Sequence, residues 1–251
     1  MNKKREIITK RTMLNAERLL LKHIDRFNNL LHDVQISKDT FSFRNKLING
    51  KVKSLTEIIE NELYNLCLTN SNHDMLASED QEEVLEFILR DRPGGNLVES
   101  IRNHVGKLNN EVEAYIEASL YFDLQITEGL SILKKNLSNA YNNKFIRKAY
   151  REIRKPNSLI IKSKGATVDS GYYKTSVANI KRLLGFVVIE TLTNRMVNEF
   201  KREGAIGYFV SRGSSYPCDY CDSFVGFHDI NDVSSIPPFH GSCYCIVEPV
   251  Y

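Results

Sequence analysis

The chain has 251 residues, enough for one or two domains with a sizeable core, and a nearly balanced formal net charge of +3. It contains no uncharged apolar stretch of roughly eighteen residues, which argues against a membrane span. The basic start of the chain, Met1 to Arg5, is not followed by an apolar segment and does not resemble a secretory signal. We therefore expect a folded protein made in a reducing cytosol, where free thiols and metal sites are commoner than disulfides.

Helical periodicity dominates the first two thirds of the sequence. Apolar residues recur every three or four positions from Met13 to Val34, which predicts one amphipathic helix over about 5–35. The same periodicity predicts helices over 43–68 (with Gly50 as a candidate break), 78–92, 98–140 (with Gly106 or Gly129 as a candidate interruption) and 143–154.

The last third of the sequence changes character after Pro156. Residues 157–174 are polar and contain glycine, so they are predicted to form a linker or hinge with a small strand. A last helix is predicted over about 175–203, with Gly204 as its C′ residue. Short strands are expected over 206–212, 223–227 and 244–248. The predicted fold class is mainly α: a long-helix body (1–156), then the linker (157–174), then a small α+β C-terminal module (175–251).

Four of the five cysteines lie in the C-terminal module. They form the sequences Cys218-Asp-Tyr-Cys221 and His240-Gly-Ser-Cys243-Tyr-Cys245, separated by residues 222–239. Two chelating pairs of thiolate or imidazole donors at such a separation are typical of a structural zinc site. A disulfide pair or redox-active thiols are the alternatives.

The ligand set is open at one position. Cys218, Cys221, His240 and Cys243 are the first choice, because His-x-x-Cys is a usual chelate spacing. Cys245 is the alternative ligand, since residues i and i+2 of an extended segment face the same side. Four protein donors would leave no position for an activated water, so we predict structural zinc, no catalytic residues and no enzyme activity. His228 is expected at the surface, and Cys67 as a buried thiol.

Charge is unevenly distributed along the chain. Acidic residues outnumber basic ones from Glu57 to Glu128, whereas between Lys134 and Arg182 the basic residues face only Glu152 and Asp169. Such a stretch can contact phosphate backbone or an acidic partner, although a solvated or intramolecularly paired face is the simpler interpretation. The candidate DNA or partner contacts are Lys144, Arg147, Lys148, Arg151, Arg154 and Lys155.

The C-terminal third resembles the phage head-morphogenesis family, the minor capsid proteins similar to the Mu F product. The matching features are a long helix, a glycine-led strand, Pro217-Cys218-Asp-Tyr-Cys221, the Val225-Gly226 step, and Pro237-Pro-Phe-His240-Gly-Ser-Cys243-Tyr-Cys245. The chain departs from the family pattern at Gly241, where Pro is usual, and at Tyr244, where Arg is usual. Of the family's Arg-Thr-Glu step in the preceding helix, only Glu190 remains. The resemblance covers about residues 175–250.

The resemblance implies a structural minor capsid protein of a tailed bacteriophage. Such a protein would be associated with the portal vertex, act in head assembly or in DNA packaging and delivery, and be present in several copies. Its partners would be the portal or major capsid protein and packaged DNA, without a membrane. Its location would be the virion, at the capsid interior or portal vertex, after assembly in the host cytoplasm. The chain ends soon after Cys245, so no appended toxin domain is expected. A zinc-dependent nucleic-acid-binding protein is the alternative, and a metal-dependent hydrolase or toxin is a third interpretation.

Overall fold

Long helices make up most of the described structure. The structure is a computed structural model that describes residues 2–32, 46–71, 85–86, 88–90, 95–137, 144–152, 175–213, 217–240 and 243–251. The long helices are α1 (Asn2–His32), α2 (Lys46–Ser71), α3 (Leu97–Tyr121), α4 (Ile126–Lys135), α5 (Lys144–Glu152) and α6 (Ser176–Arg202). A small sheet and a short helix follow α6. The prediction of a mainly α fold with a small C-terminal α+β module is confirmed.

Most of the predicted helices are present close to their predicted bounds. α1 buries Leu20, Ile24 and Phe27, which belong to the apolar stripe that predicted it. α2 continues through Gly50 without a break. Of the helix predicted over 78–92, residues 85–86 and 88–89 are helical and the others lie outside the described residues, apart from Arg90, which forms a bend.

The position predicted for a break in the helix over 98–140 was wrong. The chain leaves the helix at 122–125, between α3 and α4, and both Gly106 and Gly129 lie within helices. Asp123 has a left-handed φ of 57°, a conformation that Asp tolerates better than most residues. The Leu124 N–H donates to the Ser119 carbonyl across this turn. Glycine content was therefore a poor guide to the break.

The described chain divides into two compact units, each assembled from separated segments. The first unit comprises residues 1–15, 65–97 and 182–251, and the second comprises 16–64 and 98–181. The predicted hinge at 157–174 lies outside the described residues, so the division into a body, linker and module stays a prediction.

Polar contacts, one of them buried, join the helices of the second unit. The Nε2 atom of His23 on α1 lies 3.0 Å from the Asn109 side-chain oxygen on α3. Arg26 and Glu62 form a two-point ion pair between α1 and α2, with N–O distances of 2.8 and 2.6 Å. These contacts, with the apolar stripe of α1, hold this unit together.

The C-terminal module contains a three-stranded antiparallel sheet. β1 (Gly207–Ser211) lies between β2 (Gly226–Asp229) and β3 (Ile246–Val250). Because successive side chains of a strand alternate between faces, Tyr208 and Val210 are buried while Phe209 is exposed. All three strands were predicted, although β2 begins three residues later than expected because the chain first forms a short helix, α7 (Asp219–Asp222).

The end of α6 is joined to the sheet by the cap that the sequence predicted. Gly204 has φ 88°, its N–H donates to the Lys201 carbonyl, and the Ala205 N–H donates to the Phe200 carbonyl. This pair of hydrogen bonds is a Schellman motif, which favours glycine at the left-handed position. The module's core then combines buried residues of α6, the sheet and the cysteines: Met196, Val197, Phe200, Ala205, Tyr208, Val210, Cys221, Cys243, Cys245 and Val247.

Candidate metal centre

The first pair of donors is positioned by the short helix α7. Cys218 is its N-cap, in extended conformation, and Cys221 lies one turn further on. The Cys221 N–H points to the Cys218 Sγ at 3.5 Å, so the turn places both sulfurs on one side of the chain. A Cys-x-x-Cys sequence is suited to this turn because its two side chains can chelate one ion.

The second group of donors leads into β3. The Cys243 N–H donates to the His240 carbonyl at 2.9 Å, which holds these two residues within one turn. Residues 241–242 lie outside the described residues. Cys245 directly precedes β3, and its side chain is buried on the core side of the module.

The five predicted donors come together in one cluster, which we call the Cys/His cluster (Cys218, Cys221, His240, Cys243 and Cys245). Donor atoms of Cys218, Cys221 and His240 all lie within 4.8 Å of one another, and so do those of Cys221, Cys243 and Cys245. Cys221 belongs to both groups. None of the five cysteines of the chain, Cys67 included, is joined to another in a disulfide. The cluster can therefore hold a metal ion.

Two distances within the Cys/His cluster match the edges of a tetrahedral metal site. Zn–S bonds of about 2.3 Å separate two sulfurs by about 3.8 Å, and Zn–N bonds of about 2.0 Å bring nitrogen and sulfur about 3.5 Å apart. The Cys221 and Cys243 sulfurs are 3.8 Å apart, and the Cys218 Sγ lies 3.4 Å from the His240 Nε2. The Cys221 Sγ is closer to that nitrogen, at 3.0 Å. The choice between Cys243 and Cys245 as ligand stays open, because both lie with Cys221.

Burial disfavours the thiolate forms of Cys221 and Cys245 unless a cation is present. Cys221, Cys243 and Cys245 are buried, whereas Cys218 and His240 are half-buried. Burial raises the pKa of Cys245 to about 11, with neighbouring Cys243 adding to the effect, and raises the pKa of Cys221 further. Burial lowers the pKa of His240, which keeps its imidazole neutral and able to bind a metal. This donor set therefore suits a thiophilic divalent ion.

An aromatic stack connects the two donor segments. The rings of Phe224, just after α7, and Phe239, just before His240, lie parallel with centroids 4.1 Å apart. Tyr220 packs edge-on against Phe224 at 5.5 Å. This contact was not predicted from the sequence, although aromatic residues flank both donor pairs.

Gly213 allows a close backbone approach beside the cluster. A Cβ atom at this position would lie 1.7 Å from the Tyr244 carbonyl oxygen, so no other residue fits without a shift of the backbone. The Gly213 N–H interacts with Cys245, and this hydrogen bond lowers the pKa of that thiol against the effect of burial. A backbone N–H directed at a sulfur favours its thiolate form.

Three other residues singled out in the sequence lie outside the cluster. His228 was expected at the surface but is half-buried on β2, where its ring stacks on Tyr208 and its Nε2 lies 2.8 Å from the Phe224 carbonyl oxygen. Cys67 is fully buried in α2, as predicted. Glu190 is also buried and pairs with Arg90, an ion pair within the first compact unit.

A cavity of about 260 Å³ adjoins His240. It is lined by Thr9, Met13, Arg182, Gly185, Phe186, Ile189, His240 and Tyr244. Because His240 is half-buried and borders this space, small solutes can approach the cluster from the His240 side.

The predicted DNA contacts are only partly within the described residues. Lys144, Arg147 and Lys148 are exposed on α5, on the side opposite the buried Ile146 and Ala149. We call these three residues the basic face. The Arg151 side chain, Arg154 and Lys155 lie outside the described residues.

Other basic residues of the same stretch are paired. Lys134 contacts Asp25 at 2.6 Å, and Lys181 pairs with Glu17. Among the described side chains, no carboxylate pairs with the basic face, where Lys148 instead lies 4.8 Å from the centre of the Phe122 ring. The interpretation as an intramolecularly paired stretch therefore holds for two of its lysines.

No family model, no curated protein and no solved structure matches the chain. Among the described helices, none combines the length and apolar character that a membrane span requires.

Proposed function

We propose that the Cys/His cluster binds one structural zinc ion. The observation that carries this proposal is that two groups of three donors, which share Cys221, each have their ligand atoms within 4.8 Å of one another beside the core of the module. Zinc, when bound, supplies a cross-link between the α7 turn and the segment that leads into β3. This cross-link adds to the small hydrophobic core of the module.

The donor set favours a structural role over catalysis. Four of the five donors complete a tetrahedral zinc, which leaves no open coordination position for a substrate or an activated water. Three of the five donors are buried. The chain's own residues therefore hold and shield the ion.

We further propose that the protein is a minor capsid protein of a tailed bacteriophage that acts in head assembly or DNA delivery. The support is the resemblance of residues 175–250 to the head-morphogenesis family, together with an order of elements that suits it. A long helix ends at Arg202, a glycine-led strand follows, and both donor pairs close the module.

Recovery in the virion tests this role. Infected cells should yield the chain in purified particles and in complex with the portal or major capsid protein. Its absence from particles, with no capsid component in the complex, would refute the capsid proposal and leave the zinc proposal intact.

A nucleic-acid-binding role is the second candidate, and the basic face is the observation that favours it. Lys144, Arg147 and Lys148 are exposed together on one side of α5 without a paired carboxylate among the described residues. Each phosphate contact that is lost should lower the slope of log K against log salt by about 0.9 on duplex DNA.

Charge reversal tests whether the basic face contacts DNA or is only solvated. The double variant Arg147→Glu/Lys148→Glu should weaken DNA binding and flatten its salt dependence. Lys51→Glu, exposed on α2, is the matched control for a change of charge. Equal DNA affinity in the double variant and the wild type would exclude the basic face as the contact surface. Affinity for one DNA sequence above others would favour a regulator over a packaged-DNA contact.

A further inference from the structure

Arg5, near the start of α1, reaches the backbone of the Cys/His cluster. Its side chain is 5% exposed. The Nη1 atom donates to the Thr193 hydroxyl at 2.5 Å, and the Nη2 atom donates to the Cys245 carbonyl at 2.7 Å. The Nε atom is buried without a hydrogen-bond partner in the described structure. All three residues belong to the first compact unit.

The hydrogen-bond partners of Arg5 in the described structure carry no charge to balance its own. A guanidinium stays protonated in proteins, and a buried charge is costly unless an opposite charge lies nearby. Thr193 and the Cys245 carbonyl are neutral acceptors. The neighbouring Glu6 is exposed and pairs with Lys10, and no ion pair joins Arg5 to a carboxylate among the described residues. A positive charge in this position calls for an anion close by.

The Cys/His cluster becomes such an anion when zinc is bound. Zinc with three thiolates and one imidazole carries a net charge of −1, and zinc with four thiolates carries −2. Arg5 donates directly to the carbonyl of Cys245, so the charge of a zinc-bound cluster would act on the guanidinium at short range. Metal binding requires thiolates and releases their protons, so this anionic charge belongs to the zinc-bound site.

We propose that Arg5 is the counter-ion of the metal centre, and that zinc binding thereby fastens the first turns of α1 to the C-terminal module. This inference rests on the proposed zinc site. Residues around a metal's ligands hold them through hydrogen bonds and charge, and their loss commonly weakens metal binding by about 10- to 100-fold. Arg5 can do both, since it donates to the Cys245 carbonyl and places its charge beside that candidate ligand.

Zinc affinity of single variants tests the proposal. Competition with a fluorescent zinc chelator should show about 10- to 100-fold weaker binding for Arg5→Met, and smaller loss for Arg5→Lys, which keeps the charge. Arg11→Met, on an exposed position of the same helix, is the matched control. Thr193→Val removes the hydrogen bond from Arg5 and the one to the Ile189 carbonyl but no charge, and it should bind zinc within about threefold of the wild type.

Stability with and without zinc distinguishes a counter-ion from a residue that only packs. Arg5→Met should destabilise the zinc-bound chain more than the chain in excess chelator, because the buried charge lacks its anion without zinc. An equal loss in both conditions, or unchanged zinc affinity, would overturn the proposal.

Hydrogen exchange of the wild type provides a measurement that needs no variant. Amides of residues 2–15 should lose protection when zinc is removed, and unchanged protection there would also overturn the proposal. A wild type that binds no zinc refutes the proposed zinc site itself. If the wild type and Arg5→Met bind zinc with equal affinity, only the role of Arg5 is refuted.

Discussion

Glu111 makes the stability of the second compact unit depend on pH. Its carboxyl group lies in α3, is 1% exposed, and accepts two hydrogen bonds at Oε1, from the N–H and the hydroxyl of Ser176 at the start of α6. The Oε2 atom has no partner in the described structure. Desolvation raises the pKa of Glu111 from 4.5 to about 7, against the lowering effect of Ser176.

The sign of the effect follows from the raised pKa. The folded chain binds this proton more tightly than the unfolded chain, so the contribution to the free energy of unfolding is full below about pH 4.5. It is lost as the pH rises to about 7. At roughly 1.4 kcal/mol for each pH unit, the loss over this window is about 3 kcal/mol.

Urea denaturation from pH 5 to pH 8 measures this loss. The Glu111→Gln variant cannot titrate, so the difference in free energy of unfolding between wild type and variant should shrink by about 3 kcal/mol across the window. Taking this difference cancels the titration of other groups, including the cluster's thiols. Glu128→Gln, on the exposed side of α4, controls for the loss of one carboxylate. Parallel profiles for the wild type and Glu111→Gln would refute the reasoning.

Three further predictions concern single residues. Burial lowers the pKa of His23 from 6.5 to about 4, so the contribution of His23 to stability is lost as the pH falls through this range. In His23→Gln, the free energy of unfolding from chemical denaturation should therefore decrease less between these pH values than in the wild type, and the same decrease in both would contradict the prediction. Gly213→Ala places a Cβ 1.7 Å from the Tyr244 carbonyl oxygen and should destabilise the module by about 1–3 kcal/mol in thermal unfolding. Gly106→Ala, which has open space around its Cβ, should instead stabilise α3 by about 0.5–1 kcal/mol. Stability changes of the same sign in both variants would contradict the packing described. Phe239→Leu keeps an apolar side chain but removes the ring stack, so the zinc-bound chain should lose about 0.5–1.5 kcal/mol in chemical denaturation, and no loss would mean that the stack contributes nothing.

Local patterns predicted the fold wherever the physical cause was itself local. The stripe of α1 and the cap at Gly204 follow from spacing and backbone conformation, and both are present. The break between α3 and α4 was missed, because Asp123 adopts a conformation for which glycine seemed the better candidate. The sequence carries the propensity of each residue but not the tertiary contacts that select among conformations.

The candidate site was predictable in its donors but not in its surroundings. Chelate spacing identified all five members of the Cys/His cluster, since ligands close in sequence must be close in space. Arg5 lies 240 residues from Cys245 along the chain, and nothing in a local pattern relates the two. The Phe224–Phe239 stack was not predicted for the same reason, because the two rings meet only once the loop between them has folded.

The zinc content of the purified full chain tests the proposed metal centre most directly. Metal analysis after purification without chelators should find about one zinc per chain in the wild type and much less in Cys221→Ser, which removes the sulfur shared by both donor groups. Cys67→Ser, a buried thiol outside the cluster, should keep the wild-type zinc content. A wild type without bound zinc, or a Cys221→Ser variant with the same zinc content as the wild type, would contradict the assignment.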